Sequence, residues 1–386
     1  MPIALVTNYL TPYRVPLFAR LAERHDTEVL CFGAGDRYIP PWFRDLDRQL
    51  DQAPFPARRL RGPLAALALG RRYDALIAPF AGGAILPATY ASARLHGRPF
   101  LLWASVWSPP RSLTHALTLP VTRRIYRDAD AVIAYGEHVR RFVAGPRARG
   151  TAEGVFVAPQ SVEPELFARQ VSAAEIEAFR SRHGLAPGPA VLFAGRLVPE
   201  KGVAVLLEAW RRVGAGATLL VAGDGPLAGA VRATPGARLL GPLARAELPV
   251  AYALTEFSVV PSIPTPRFRE PWGLVINEAM HQGRPVIATT AVGAVAGGLV
   301  RDAETGLVVR AGDPAALAAA IDRLLADREL RARLGTAARE AVAGYTYDAM
   351  ADAFDAALTW AATAPRRTAP RGRAWSRPRR RPESGS

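Results

Sequence analysis

One lysine stands among 49 basic side chains: Lys201, in the stretch GRLVPEKG at residues 195–202, while the other 48 cations are arginine. The stretch leaves an apolar run, AVLFAG, and enters a helix-period segment, VAVLLEAWRRV. Arg196 is therefore expected at a strand end and Lys201 just before a helix N-terminus, two cations beside unpaired backbone N–H groups and a positive dipole end. That combination suits a pyrophosphate. The competing reading is a solvated turn with Glu200 and Lys201 facing water.

Two further stretches follow predicted strands. GDGP at 223–226 places Gly223 and Gly225 where a backbone could approach a ligand closely, although ordinary turns use the same residues. EPWGLVINEAMHQGRPVIATT, from residue 270, predicts a helix over 273–282 with Gly283 closing it and a strand after it. Glu270 then lies in a loop facing a cleft, and Glu278 lies between one and two turns into the helix. A carboxylate accepts from both hydroxyls of a ribose, so Glu278 could hold a nucleoside while the helix N-terminus faces its phosphates. Otherwise Glu270 is an anion near a helix start and Glu278 a surface residue.

The elements that must position these residues are legible as short apolar runs alternating with helix-period segments. IALVT, TEVLCF, DALIAPF, PFLLWAS, AVIAYG and GVFVAP read as buried parallel strands, and YRVPLFARLAERH as a helix among them. The pattern restarts after a polar stretch at 160–189, with AVLFAG, ATLLVAG, ARLLG, FSVVPS and RPVIATT as strands. We expect two doubly wound Rossmann-like α/β domains facing across a cleft, 1–170 and 171–345, a closing helix at 346–362, and a disordered basic tail at 363–386. Two alanine-rich helices broken near Asp327 precede the closing helix. In such sheets ligands bind at the carboxyl ends of strands, where the three stretches fall.

Composition bounds the setting. A chain of 386 residues with 49% hydrophobic side chains can bury large cores, and a single cysteine, Cys31, excludes an intramolecular disulfide. No run of eighteen apolar residues and no signal-peptide pattern occur, so a cytoplasmic protein is expected. The net charge of +15 divides into +8 over 1–170, zero over 171–363 and +7 over the last 23 residues. This points either to an anionic partner, phospholipid or nucleic acid, or to a general arginine bias. Two basic segments are expected as helices: RRLRGPLAALALGRRY with Arg58, Arg59, Arg61, Arg71 and Arg72, and RSLTHALTLPVTRRIYR with Arg111, Arg123, Arg124 and Arg127. They would suit peripheral attachment to the inner face of a membrane, or pack on the sheet with solvated arginines.

FAGRLVPEKG, VAGDGP, LGPL, VVPS and EPWGLVINEAM followed by QGRPVIAT and TGLVV resemble the nucleotide-sugar-binding half of glycosyltransferase family 4, retaining enzymes of the GT-B fold. Glu270 and Glu278, with seven residues between them, match the family's glutamate pair, and TPYRVPLFARLAER extends a looser resemblance to the N-terminal half. The resemblance implies that Arg196 and Lys201 bind the donor diphosphate and stabilise the leaving group, with Glu270 near the transferred sugar. It puts Glu278 on the ribose, and Gly273, Leu274, Gly223 and Gly225 beside the donor nucleotide. It implies a nucleotide-sugar donor, a glycan or lipid-linked acceptor, and no metal ion or other cofactor.

Some positions depart from the family pattern. Where many members carry a histidine after an N-terminal strand, this chain offers Ser105, Trp107 and Ser108, and His115 and His138 are expected on helix surfaces. TNYLTPYR replaces the glycine-rich loop after the first strand, leaving Tyr13 and Arg14, with Ser105 and Trp107, as acceptor contacts; PQSVE replaces PNGVD between the domains. A GT-B sugar-nucleotide epimerase would need acid/base residues from both domains. A dehydrogenase is disfavoured because no G-x-G-x-x-G follows the first strand of either domain. A non-enzymatic nucleic-acid binder, suggested by charge and tail alone, is not expected.

Overall fold

The computed structural model describes residues 1–33, 45–81, 83–108, 113–145, 152–214, 216–266 and 268–363, without the side chains of 113–117. Arg111, the His115 side chain and the tail from 364 lie outside the described residues.

The first unit runs β1 (Ile3–Thr7), α1 (Val15–Arg24), β2 (Thr27–Cys31), α2 (Leu46–Asp51), β3 (Ala57–Arg59), α3 (Gly62–Leu67) and β4 (Ala75–Pro79). It continues through α4 (Ile85–Leu95), β5 (Phe100–Ala104), α5 (Leu113–Asp128), β6 (Ala131–Ala134), α6 (Glu137–Ala144) and β7 (Val155–Val157). Its seven strands are all parallel, in the order β3-β2-β1-β4-β5-β6-β7. Sequence alternation explains the layering: Ile3 and Leu5 enter one core, Ala4 and Val6 the core on the opposite face.

The second unit follows α7 (Pro164–Phe167) and α8 (Ala173–His183). It runs β8 (Ala190–Ala194), α9 (Val203–Trp210), β9 (Thr218–Ala222), α10 (Ala228–Arg232), β10 (Ala237–Gly241), α11 (Leu248–Leu254) and β11 (Phe257–Val260). Then come α12 (Leu274–His281), β12 (Val286–Thr289), α13 (Gly293–Ala296), β13 (Gly306–Val309), α14 (Pro314–Ala326), α15 (Arg328–Val342) and α16 (Tyr347–Thr363). Its sheet is also parallel, ordered β10-β9-β8-β11-β12-β13. Strand order therefore reverses between β1 and β4 and between β8 and β11, and the loops leaving these strands open crevices at their carboxyl ends.

Three differences from the sequence reading have local causes. The stretch expected to be merely polar contains α7 and α8. α8 fully buries only Phe179 and shows almost no apolar periodicity, yet a Ser172–Glu175 capping box starts it and Gly184 in the left-handed region ends it. Arg58 and Arg59 lie on edge strand β3 rather than a helix, and each has an internal partner: Arg58 Nε donates to Glu28 at 2.7 Å and Arg59 Nη1 to Asp47 at 2.7 Å. Finally, α16 returns to the first unit. Tyr347, Met350, Phe354 and Leu358 join the core that holds Phe18 and Trp103. Arg20, Arg24 and His25 meet Asp348, Asp352 and Asp355 along its outer edge, at 2.7–2.8 Å.

Candidate active site

A cleft of about 420 Å³ opens between the two sheets. Arg196, Lys201, Glu270, Gly273, Leu274 and Glu278 line it from the second unit, and Tyr13, Arg14 and Ser105 from the first. Gly223 and Gly225 do not line it. They let the turn after β9 pack against the loop after β8: a Cβ on Gly223 would lie 1.9 Å from Gly195 O, and one on Gly225 2.7 Å from Leu197 O. Leu197 N–H donates to Asp224 O at 2.8 Å across the same contact. These glycines shape the loop that carries Arg196.

Lys201 ends a 3-10 turn, Pro199–Lys201, directly before α9. Gly202 follows with φ +71°, and a Cβ there would stand 1.9 Å from Pro261 O, so only glycine fits. The ammonium pairs with the Glu270 carboxylate, which also accepts from Ser262 Oγ at 3.2 Å. Two residues predicted to act separately on donor and sugar are thus joined in one ion pair. Arg196 comes within 3.9 Å of Glu200.

Glu278 sits on the face of α12 towards the cleft, one turn beyond the helix start. The buried Tyr252 hydroxyl donates to its carboxylate at 2.7 Å. Burial raises the Glu278 pKa to about 7, against the opposing pull of that hydrogen bond and of the Arg245 charge. The group titrates near neutrality and accepts fully only when ionised.

The peptide carrying Glu270 is gripped from the first unit. Trp107 Nε1 donates to Glu270 O at 3.0 Å, and the His138 ring nitrogen Nε2 meets Pro271 O at 3.1 Å. Trp107 was expected at the acceptor; instead its N–H is spent on the second unit's backbone, and the Arg269 guanidinium stacks 3.7 Å from its ring centre. His138 was expected on a helix surface. It is 5% exposed, packed edge-on against Trp107 and tilted against Trp272. Burial first, then the Arg141 and Arg269 charges, lower its pKa to about 4, so it is neutral near pH 7 and Nε2 carries the proton given to Pro271. Trp272 donates to Asn277 Oδ1 at 2.8 Å, and Asn277 to Gln160 O at 2.7 Å, tying the loop to the segment between the units.

Arg14 is 7% exposed. Its Nη2 donates to Tyr135 Oη at 2.8 Å and Gln160 Oε1 at 2.7 Å, and its guanidinium lies over Trp103 at 4.6 Å. Tyr135, Gln160, Tyr252, Ser262, Trp272 and His138 all belong to the site or its support and were not picked out as site residues from the sequence. The signals were faint: Gln160 stood in PQSVE, a departure from the family pattern, Ser262 in VVPS and Trp272 in EPWG. Among the described residues no group of three or more His, Cys, Asp or Glu is placed to hold a metal ion.

Comparison with known proteins places this geometry. Residues 188–327 match the family model described as glycosyl transferases group 1. An alpha-D-kanosaminyltransferase of Streptomyces kanamyceticus is 35% identical over 184 residues, 45% of this chain and 46% of that protein. A GDP-mannose-dependent alpha-(1-6)-phosphatidylinositol monomannoside mannosyltransferase of Mycobacterium tuberculosis is 33% identical over 248 residues, 60% of this chain and 62% of that one. The matched stretches thus span about half the length of the first of these curated relatives. The crystal structure of Anabaena Alr3699/HepE in complex with UDP and glucose superposes with a TM-score of 0.75 at 21% identity, covering 93% of this chain and 99% of that chain. Residues 188–327 are thus similar to glycosyl transferases group 1, and the two facing parallel α/β units share the fold of GT-B structures.

Proposed function

We propose that the protein is a retaining glycosyltransferase that moves a sugar from a nucleoside-diphosphate donor to a glycan or lipid-linked acceptor in cell-surface polysaccharide or glycolipid assembly. The observation that carries this reading is the cleft itself. It puts Arg196 and Lys201 beside the start of α12, with Glu278 one turn into that helix, so cations and a hydroxyl acceptor line one cavity. A nucleotide spans such a pair of ends.

When the bond from the anomeric carbon to the diphosphate breaks, negative charge grows on the departing oxygen. Fixed cations aimed at it stabilise the transition state more than the ground state. Lys201 reaches the diphosphate by exchanging the Glu270 carboxylate for a phosphate oxygen, and that exchange leaves Glu270 to accept from hydroxyls of the transferred sugar. Glu278 accepts from the ribose. As the resemblance to retaining family members implies, configuration would be kept by same-face displacement, in which the departing phosphate oxygen takes the acceptor's proton.

Calorimetry against UDP, GDP, ADP and TDP should show one clear preference, weakened in Glu278→Ala; absence of binding to all four rejects the reading. For the acceptor side we propose an anionic membrane surface. Leu64 is 84% and Val121 48% exposed, and both stand in arginine-bearing segments. Each cation near such a surface contributes about 1 kcal/mol. Several of these arginines have internal partners, Arg124 and Arg127 on Asp128 among them, which reduces the pull. Sedimentation with phosphatidylglycerol vesicles but not phosphatidylcholine vesicles is expected; equal recovery with both refutes membrane attachment by charge. Among the described residues no helix is long and apolar enough to cross a membrane.

A further inference from the structure

The cations lining the cleft differ in what balances them. Lys201 is paired with Glu270, and Arg196 has Glu200 within 3.9 Å. Arg14, the most buried of the three, has only neutral partners among the described residues: Tyr135, Gln160, the Met350 sulfur at 3.7 Å, and the rings of Tyr13, Trp103 and Tyr135. A guanidinium removed from water keeps its charge at any physiological pH. Rings and neutral acceptors offset only part of the cost of burying it, so the site favours an anion that the protein itself does not supply.

The charges of the lining residues point to the anion. With Glu270 and the ionised Glu278 set against Arg196 and Lys201 the lining is neutral, so the cleft offers a diphosphate a net positive charge only through Arg14. The chain has no glycine-rich loop after β1 to offer backbone N–H groups, and Arg14 stands at that place, at the start of α1, whose dipole adds to the positive potential.

We propose that Arg14 is a catalytic residue, contacting the donor diphosphate from the first unit, opposite Arg196 and Lys201. This rests on the glycosyltransferase reading and extends it. In the step itself the bond between the anomeric carbon and the phosphate oxygen breaks, its electron pair stays on the diphosphate, the acceptor oxygen bonds the anomeric carbon, and the acceptor proton passes to the diphosphate. Arg14 stabilises the charge that collects there and draws the first unit onto the bound donor. Tyr135 and Gln160 hold the guanidinium in place.

The test compares wild type, Arg14→Met and Arg14→Lys by calorimetry with UDP, GDP, ADP and TDP and the corresponding nucleosides. For the diphosphate that wild type prefers, Arg14→Met should weaken binding about tenfold or more and Arg14→Lys less, with nucleoside affinity unchanged in both. Turnover should fall further than binding, because leaving-group charge peaks in the transition state. Wild-type diphosphate affinity in a folded Arg14→Met protein overturns the proposal, whether the variant raises the acceptor KM instead or lowers only the melting temperature. If neither variant folds, hydrogen exchange on wild type decides: the preferred diphosphate should slow exchange over residues 9–16 more than its nucleoside does, and equal protection overturns the proposal. Failure of wild type to bind any of the four diphosphates would sink the glycosyltransferase reading, a distinct outcome.

Discussion

Lys201 meets a carboxylate in the ligand-free site, and this sharpens what its chemistry demands. A compact ammonium can leave Glu270 for a phosphate by rotating a slim stem, whereas a guanidinium would bind the carboxylate through two parallel N–H groups and release it less readily. Lys201→Arg should keep the fold and lose turnover by roughly 10²-fold, as removal of an oxyanion contact does; steady-state kinetics with the preferred donor checks this, and near-normal kcat would count against it. Glu278 gives a pH signature. With its carboxyl at about 7, nucleotide affinity should rise as pH increases through that value, and Glu278→Gln should flatten the profile measured by calorimetry. The effect on stability without ligand has the opposite sign. A carboxyl raised from 4.5 to about 7 in the folded state contributes stability that is present below 4.5 and lost as pH rises to about 7.

Loops, more than helices and strands, carry the site, and their glycines are dictated by neighbouring backbone. Gly202→Ala would drive a Cβ into Pro261 O and should cost on the order of 3 kcal/mol by denaturant unfolding. Gly229, in α10 with open space around it, serves as the control: Gly229→Ala should be neutral or stabilise by about 0.5–1 kcal/mol. The loop from Arg269 to Gly273 is held by first-unit ring N–H groups, so its position depends on both units. Trp107→Phe keeps the ring beneath Arg269 but deletes the donor to Glu270 O. Turnover should fall about tenfold with nucleotide affinity unchanged, since the loop's peptide is fixed from the acceptor side. A parallel loss of nucleotide binding would mean that Trp107 supports the donor pocket instead.

At the scale of the whole molecule the two units are bound by buried contacts that sense acid. His138 lies between them with its pKa lowered to about 4 from 6.5, so the folded protein takes up a proton there only at low pH. Stability from this group is fully present above 6.5 and is lost as pH falls towards 4, by on the order of 3 kcal/mol. Thermal melts from pH 7 to 4 should therefore decline less steeply in His138→Gln than in wild type, with parallel curves as the contrary result. α16 is a further tie between the units: it follows the second unit in the chain but completes the first unit's core through Met350 and Phe354.

Periodicity in the chain was enough to place the strands around the cleft, because a parallel strand buried on both faces reads as a short apolar run whatever its neighbours are. The stretches GRLVPEKG and EPWGLVINEAM likewise marked Arg196, Lys201, Glu270 and Glu278, which line one cleft, since loops that leave parallel strands gather at the same end of the sheet. β3 and α8 escaped because a three-residue edge strand and a helix with a single buried side chain carry no periodic signal. What only tertiary structure decided is how charges and donors pair across sequence separations of tens to hundreds of residues. It set Lys201 against Glu270, spent Trp107 and His138 on carbonyls of the facing unit, and left Arg14 among neutral partners. Local sequence determines where a side chain leaves the backbone; the pairing of buried charge depends on which distant surfaces share the same low-dielectric cleft.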